Sequence, residues 1–123
     1  MLTADQTDLN QAPPLDPADV IHPCAVTWID DHAAVVAVLD ANGRVSTCTI
    51  TRGMDPPESF LSLVVRAIGD RERVVILGQG SARLALEREY VAIYKRPEHL
   101  VDVERSDMVP ELDLIRRLRE LAG

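Results

Sequence analysis

The sequence predicts an α/β fold: a five-stranded mixed sheet carrying three helices on its faces, in the order β-β-β-α-β-α-β-α. Three observations predict it. A continuous apolar run, Val74 to Leu77, leads through Gly78-Gln79-Gly80 into a helical stretch from Ser81 to Tyr94, the strand, turn and helix of a parallel crossover. Ahead of it lie three short runs rich in β-branched residues, and behind it a fifth strand-like run followed by an amphipathic helix.

Each element has a local cause. Residues 1 to 22 carry Asp, Gln, Thr and Asn, then Pro13-Pro14 and Pro17, with too few bulky apolar groups to offset ordering entropy. They are read as a tail, either flexible or docked through Leu15, Val20 and Ile21, with one domain over residues 23 to 123. Ala25 to Asp30 and Ala33 to Leu39 are strands separated by Asp31-His32. The Asn42-Gly43 step favours a tight hairpin into a third strand, Arg44 to Thr51. Asp55-Pro56-Pro57-Glu58 opens a helix, with Asp55 as N-cap and Glu58 closing a capping box. Leu61, Val64, Val65 and Ile68 share one face of it, and Gly69 ends it. In the next helix Ala82, Leu86, Tyr90 and Ile93 form a stripe, and Pro97 prevents continuation. From Leu100 to Glu104, Val101 and Val103 alternate with acidic residues, as in a strand with one wet face. Asp107 to Pro110 opens a last helix that turns Leu114, Ile115, Leu118 and Leu121 inward, while Arg116, Arg117 and Arg119 complement its dipole. A meander followed by parallel crossovers is the ribonuclease H-like order, a fold shared by enzymes and non-enzymes.

Composition narrows the function. At 123 residues the chain suits one core. With no apolar run of bilayer length and no signal-peptide pattern at its start, it is expected to be cytoplasmic. The net charge of −7 disfavours generic nucleic-acid binding. Only Lys95 among the 13 basic residues is lysine, a bias of high-GC bacterial genomes. Cys24 and Cys48 are read as reduced, small core residues.

The candidate chemistry is sparse. A two-metal nuclease needs converging carboxylates, and Asp30 and Glu58 suit two positions, with His32 nearby, but the fourth strand ends in Gly78-Gln79-Gly80 without a bridging acid. The bland reading is that Asp30 and Asp31 form a polar turn, that Glu58 caps a helix and that His32 is a surface or turn histidine. His22, Cys24, His32, Cys48 and His99 match no compact zinc spacing, so neither metal nor cofactor is expected. Gly78, Gln79, Gly80, Ser81 and Arg83, at a helix N-terminus, form a candidate anion-binding turn whose simpler role is structural. Tyr94, Lys95 and Arg96, beside Tyr90, form a candidate binding surface, chiefly for protein.

Trp28-Ile29-Asp30 with His32 and Ala33, the turn Gly78-Gln79-Gly80-Ser81-Ala82-Arg83, and Val101-Asp102-Val103-Glu104 with Asp107 together resemble small bacterial relatives of the middle domain of the archaeal and eukaryotic peptide-chain release factor. The resemblance runs over about residues 25 to 123 and implies a translation-machinery type of fold and a ribosome-associated role. Gln79 stands where that family has proline and Arg83 where it has lysine, and Asp31 is an added residue. No Gly-Gly-Gln is present, so release activity is not carried over. The leading expectation is a non-enzymatic binding module contacting protein or ribosome. The alternatives are a hydrolase using Asp30, Glu58 and His32, and a homo-oligomerising accessory domain joined through an edge strand or the tail.

Overall fold

Three runs are apolar at almost every position, and all three turn out to be inner strands covered on both faces. The computed structural model describes residues 21–123. Its elements are β1 (Cys24–Ile29), β2 (Ala33–Leu39), β3 (Val45–Thr51), α1 (Pro57–Ile68), β4 (Arg73–Gly78), α2 (Ala82–Tyr94), a 3-10 turn (Pro97–His99), β5 (Leu100–Arg105) and α3 (Glu111–Ala122). The sheet order is β3-β2-β1-β4-β5, antiparallel among the first three and parallel from β1 through β4 to β5. This is the predicted ribonuclease H-like arrangement. Leu15 and Val20, expected to dock the tail, lie outside the described residues. Ile21 packs against the core and His22 N–H donates to Ala122 O at 3.1 Å.

Side chains alternate between faces with the period of two that a strand imposes. Ala25, Ile29, Val36 and Ile76 pack under Phe60, Val64 and Ile68 of α1 and Leu86 and Tyr90 of α2. Val26, Trp28, Leu39 and Leu77 pack on the other face, under Leu114 and Leu118 of α3. Each fully buried aliphatic side chain contributes about 1.5–3 kcal/mol, so the two layers are the main source of stability. Tyr90 adds a directional tie: its hydroxyl donates to Gly69 O at 2.9 Å and accepts from Arg71 N–H at 3.2 Å, joining α2 to the α1–β4 loop. Burial raises its pKa. The Asn42-Gly43 hairpin forms as expected, with Asp40 Oδ1 accepting from the N–H groups of Asn42 and Arg44.

Several local expectations are corrected. Asp55 does not cap α1: Pro56 holds the N-cap position without a side-chain bond, and Asp55 N–H is drawn back to Arg52 O. Glu58, in the first turn, therefore acts on the helix through charge and not through a capping box. Phe60, absent from the predicted stripe, is buried, while Leu61 is only half-buried. Ile93 is 46% exposed, because α2 turns Tyr90 inward and half-buried Tyr94 packs in its place. Val101 is 55% exposed: the β4–β5 register steps from Val74↔Leu100 to Val75↔Asp102, so Val101 is the extra residue of a bulge and Leu100 takes the inward place. Asp107 lies ahead of α3, whose N-cap is Pro110. Cys24 is buried, with its thiol pushed up to about 11 by desolvation, but Cys48 is exposed on the edge strand β3 and is no core residue.

Candidate functional site

In an open sheet the free backbone and the loop variety gather at the carboxyl ends of parallel strands, most usefully where neighbouring strands send their chains in opposite directions. Here β1 leads outward to β2 while β4 leads through α2 to β5, so that place lies between Ile29 and Gly78, which are paired in register. A hollow of about 250 Å³ opens beside it, lined by Asp30, Asp31, Arg52, Phe60, Leu61 and Ser81 among others. Arg52 anchors its rim, with Nε donating to Asp55 O at 2.8 Å and Nη1 to Asp31 O at 3.4 Å. A second hollow, about 270 Å³, lies on the α3 side between Leu77, Glu104, Ser106, Asp113 and Arg117.

The turn from Gly78 to Ser81 is rigid for a steric reason. A Cβ at Gly78 would stand 2.0 Å from Ile29 O, so only glycine lets β4 lie this close to β1 at its last residue. Gly78 O accepts from Ser106 N–H at 2.8 Å, and Gln79 Nε2 donates to Asp107 Oδ1 at 2.8 Å, which pins the turn to the loop before α3. Gly78, Gln79, Gly80, Ser81 and Arg83 are thus brought together. Arg83 folds back, donating through Nη1 to Gly80 O at 2.5 Å, and Asp30 and Asp31 on the same hollow oppose an anion. The arrangement is that of a braced turn.

Tyr94, Lys95 and Arg96 sit at the far end of α2, about 20 Å from the turn along a helix of this length. Lys95 is the left-handed C-cap, Arg96 reaches Asp70 at 4.0 Å, and Tyr94 stacks obliquely on Tyr90 with ring centres 4.9 Å apart. Asp30 and Glu58 are not brought together: they line separate hollows, and Asp30 Oδ1 accepts from His32 and Ala33 N–H groups. His22 pairs with Glu72 and His99 with Arg71 O. Among the described residues no three His, Cys, Asp or Glu side chains are grouped to hold a metal ion.

On the α3 side, Arg117 Nη2 lies 2.5 Å from Glu104 Oε2 and holds that carboxyl below the usual range. Asp102, hydrogen-bonded to Glu104, is held above it. Sequence reasoning missed the apolar side chains at the carboxyl end: Met54 is fully exposed, and Met108 and Leu112 are 67% and 74% exposed. Met54 and Met108 lie on loops with no periodicity to read, Leu112 lies on the exposed side of the first turn of α3, and only the strand order places all three at one end. No helix among the described residues is long and apolar enough to cross a membrane.

No family model matches the chain, and no curated protein matches it by sequence. Among solved structures it is similar to Pelota of Archaeoglobus fulgidus, whose crystal structure showed inter-domain plasticity, at 17% identity and a TM-score of 0.59 over 81% of this chain and 31% of that one. It is also similar to Pelota of Thermoplasma acidophilum, at 15% identity and a TM-score of 0.56 over 82% of this chain and 33% of that one. The chain thus spans about a third of each, and at these identities the likeness is one of fold.

Proposed function

We propose that the protein is a non-enzymatic binding module of the translation machinery, making protein contacts on or near the ribosome through the carboxyl end of its sheet. The observation that carries this is the fold shared with part of archaeal Pelota, together with the release-factor-like residues at Trp28-Ile29-Asp30 and Gly78 to Arg83. The braced turn flanked by exposed Met54 and Met108 supports it, because unbranched thioether side chains adapt to a partner surface. The charge of −7 favours protein over RNA as the contacted component.

Ribosome co-sedimentation of the full chain tests this. The protein is expected in ribosomal fractions at low salt, and a Met54→Asp/Met108→Asp variant with unchanged unfolding is expected to leave them. Absence of the wild-type protein from those fractions, with protein in excess, refutes the reading. Hydrolysis of RNA or a phosphate monoester that Asp30→Asn abolishes would refute its non-enzymatic part.

A further inference from the structure

The two edges of the sheet are built differently. On β5 the strand is interrupted by the Val101 bulge and carries Asp102, Glu104 and Arg105, the devices that keep an edge from pairing. On β3, Val45–Thr51 has no charge, no proline and no bulge, and pairs with β2 in unbroken register. Ser46, Thr47, Cys48 and Thr49 are all exposed. Among the described residues no strand pairs with its outer side, which leaves an uncharged seven-residue edge in a chain of net charge −7.

The ladder fixes which backbone groups are free. Asp40 N–H donates to Arg44 O and Arg52 N–H to His32 O, so the even-numbered residues of β3 bond β2 and the odd-numbered ones, Val45, Thr47, Thr49 and Thr51, point outward. Cys48 is the middle residue of the strand. A two-fold axis at Cys48 sets Val45 opposite Thr51 and Thr47 opposite Thr49 of a second copy, and every outward N–H and C=O then finds a partner. Residues opposite one another in an antiparallel pair point to the same face. Ile50 of the second copy therefore falls opposite Ser46, beside a shallow hollow of about 180 Å³ lined by Val36, Val38, Cys48 and Ala67.

We propose that β3 is a homodimer interface, joining two copies antiparallel about Cys48 into one continuous sheet. The contact is isologous and uses up the open edge, and β5 is protected, so assembly stops at two copies. Like charges meet at its ends, where Arg44 faces Arg52, whose guanidinium is turned toward Asp31 O and Asp55 O, and on the α3 face, where Thr47 Oγ1 donates to Glu111 Oε2 at 3.2 Å and holds that carboxylate beside the strand in each copy. Screening of those ends and of the net charge makes the dimer tighter as salt rises.

Sedimentation equilibrium of the full chain across a concentration and salt series is the test, with oxidation of Cys48 as an independent measure of register. A non-hydrogen-bonded antiparallel pair holds its Cα atoms about 4.5 Å apart, within reach of a disulfide. The expected results are a monomer–dimer equilibrium, a Cys48–Cys48 crosslink that Cys48→Ser abolishes, and a dissociation constant raised about tenfold or more by Thr49→Glu, which sets a carboxylate against Glu111 of the second copy, at unchanged circular dichroism. If Thr49→Glu disturbs the fold, Ser46→Lys, at an exposed position opposite Ile50 of the second copy, serves in its place. A monomer at all concentrations without the crosslink, or a dimer indifferent to charge on β3, overturns the proposal.

Discussion

Gly78→Ala tests the claim that the carboxyl end is built on a close approach of two central strands. The new methyl group would stand 2.0 Å from Ile29 O, and contacts under 3.0 Å are essentially not tolerated, so β1 and β4 must separate locally by about 1 Å. Overpacking of this kind costs about 1–3 kcal/mol, and loosening the Ser106 N–H to Gly78 O bond adds about 1 kcal/mol. A total near 3 kcal/mol corresponds to a fall in Tm of roughly 12–24 °C for a domain of this size. Gly80→Ala is the control: its φ is +63° but nothing lies within 4 Å of the new Cβ, so only the left-handed conformation is penalised, by about 1–2 kcal/mol. Urea unfolding followed by fluorescence reads both, because Trp28 is the single tryptophan and donates Nε1–H to Ser106 O at 3.2 Å in the same region. A loss below about 1 kcal/mol for Gly78→Ala, or no greater than that for Gly80→Ala, refutes the steric account.

Two further substitutions probe polar groups. Thr27 is the one buried polar residue among those described, and its hydroxyl has no partner, so Thr27→Val is expected to stabilise by about 1 kcal/mol in denaturant unfolding; a loss would show that the hydroxyl is satisfied. The folded pKa of Asp102 is raised by its hydrogen bond to Glu104, so its ionisation opposes folding as pH rises through that value. Asp102→Asn is therefore expected to raise Tm at pH 7 and to leave it nearly unchanged at pH 3, and a Tm lowered at pH 7 contradicts the assignment. Glu104 has the opposite sign: Arg117 depresses its pKa, and its contribution is present above the ordinary carboxyl value and lost as pH falls through the folded one.

The elements were legible where one physical cause dominated. The run Val74 to Leu77 is apolar throughout because β4 is covered on both faces, and Gly69 ends α1 with a positive φ of 73°, but its ψ of 178° departs from the left-handed helical cap that a glycine stop usually adopts. Errors arose where tertiary structure chose between local options. Asp55 has the composition of a cap, yet its N–H is taken by Arg52 O in the loop that follows β3. Val101 has strand alternation, yet the bulge against β4 turns it outward. Cys48 reads as a small core residue because nothing in its own run reveals that β3 is an edge, a fact fixed only by the sheet order. The site was half legible for the same reason: Gly78 to Arg83 are contiguous, whereas Arg52, Met54 and Met108 join them through topology alone.

The two proposals constrain each other through strand direction. β3 runs parallel to β1 and β4, since two successive antiparallel pairings separate it from β1. Joining two copies antiparallel along β3 therefore points their carboxyl ends in opposite directions, away from each other. Neither Met54 nor Met108 belongs to the shared strand, so dimerisation covers neither side chain directly and reaches the candidate surface only at Arg52, which ends the seam. A flat partner meets only one of them at a time, which makes each end an independent site and predicts no cooperativity between the two. Loss of the dimer in Thr49→Glu should then leave co-sedimentation with ribosomes intact. Loss of ribosome contact in the Met54→Asp/Met108→Asp variant should likewise leave the monomer–dimer equilibrium unchanged, so that failure of either proposal is read without reference to the other.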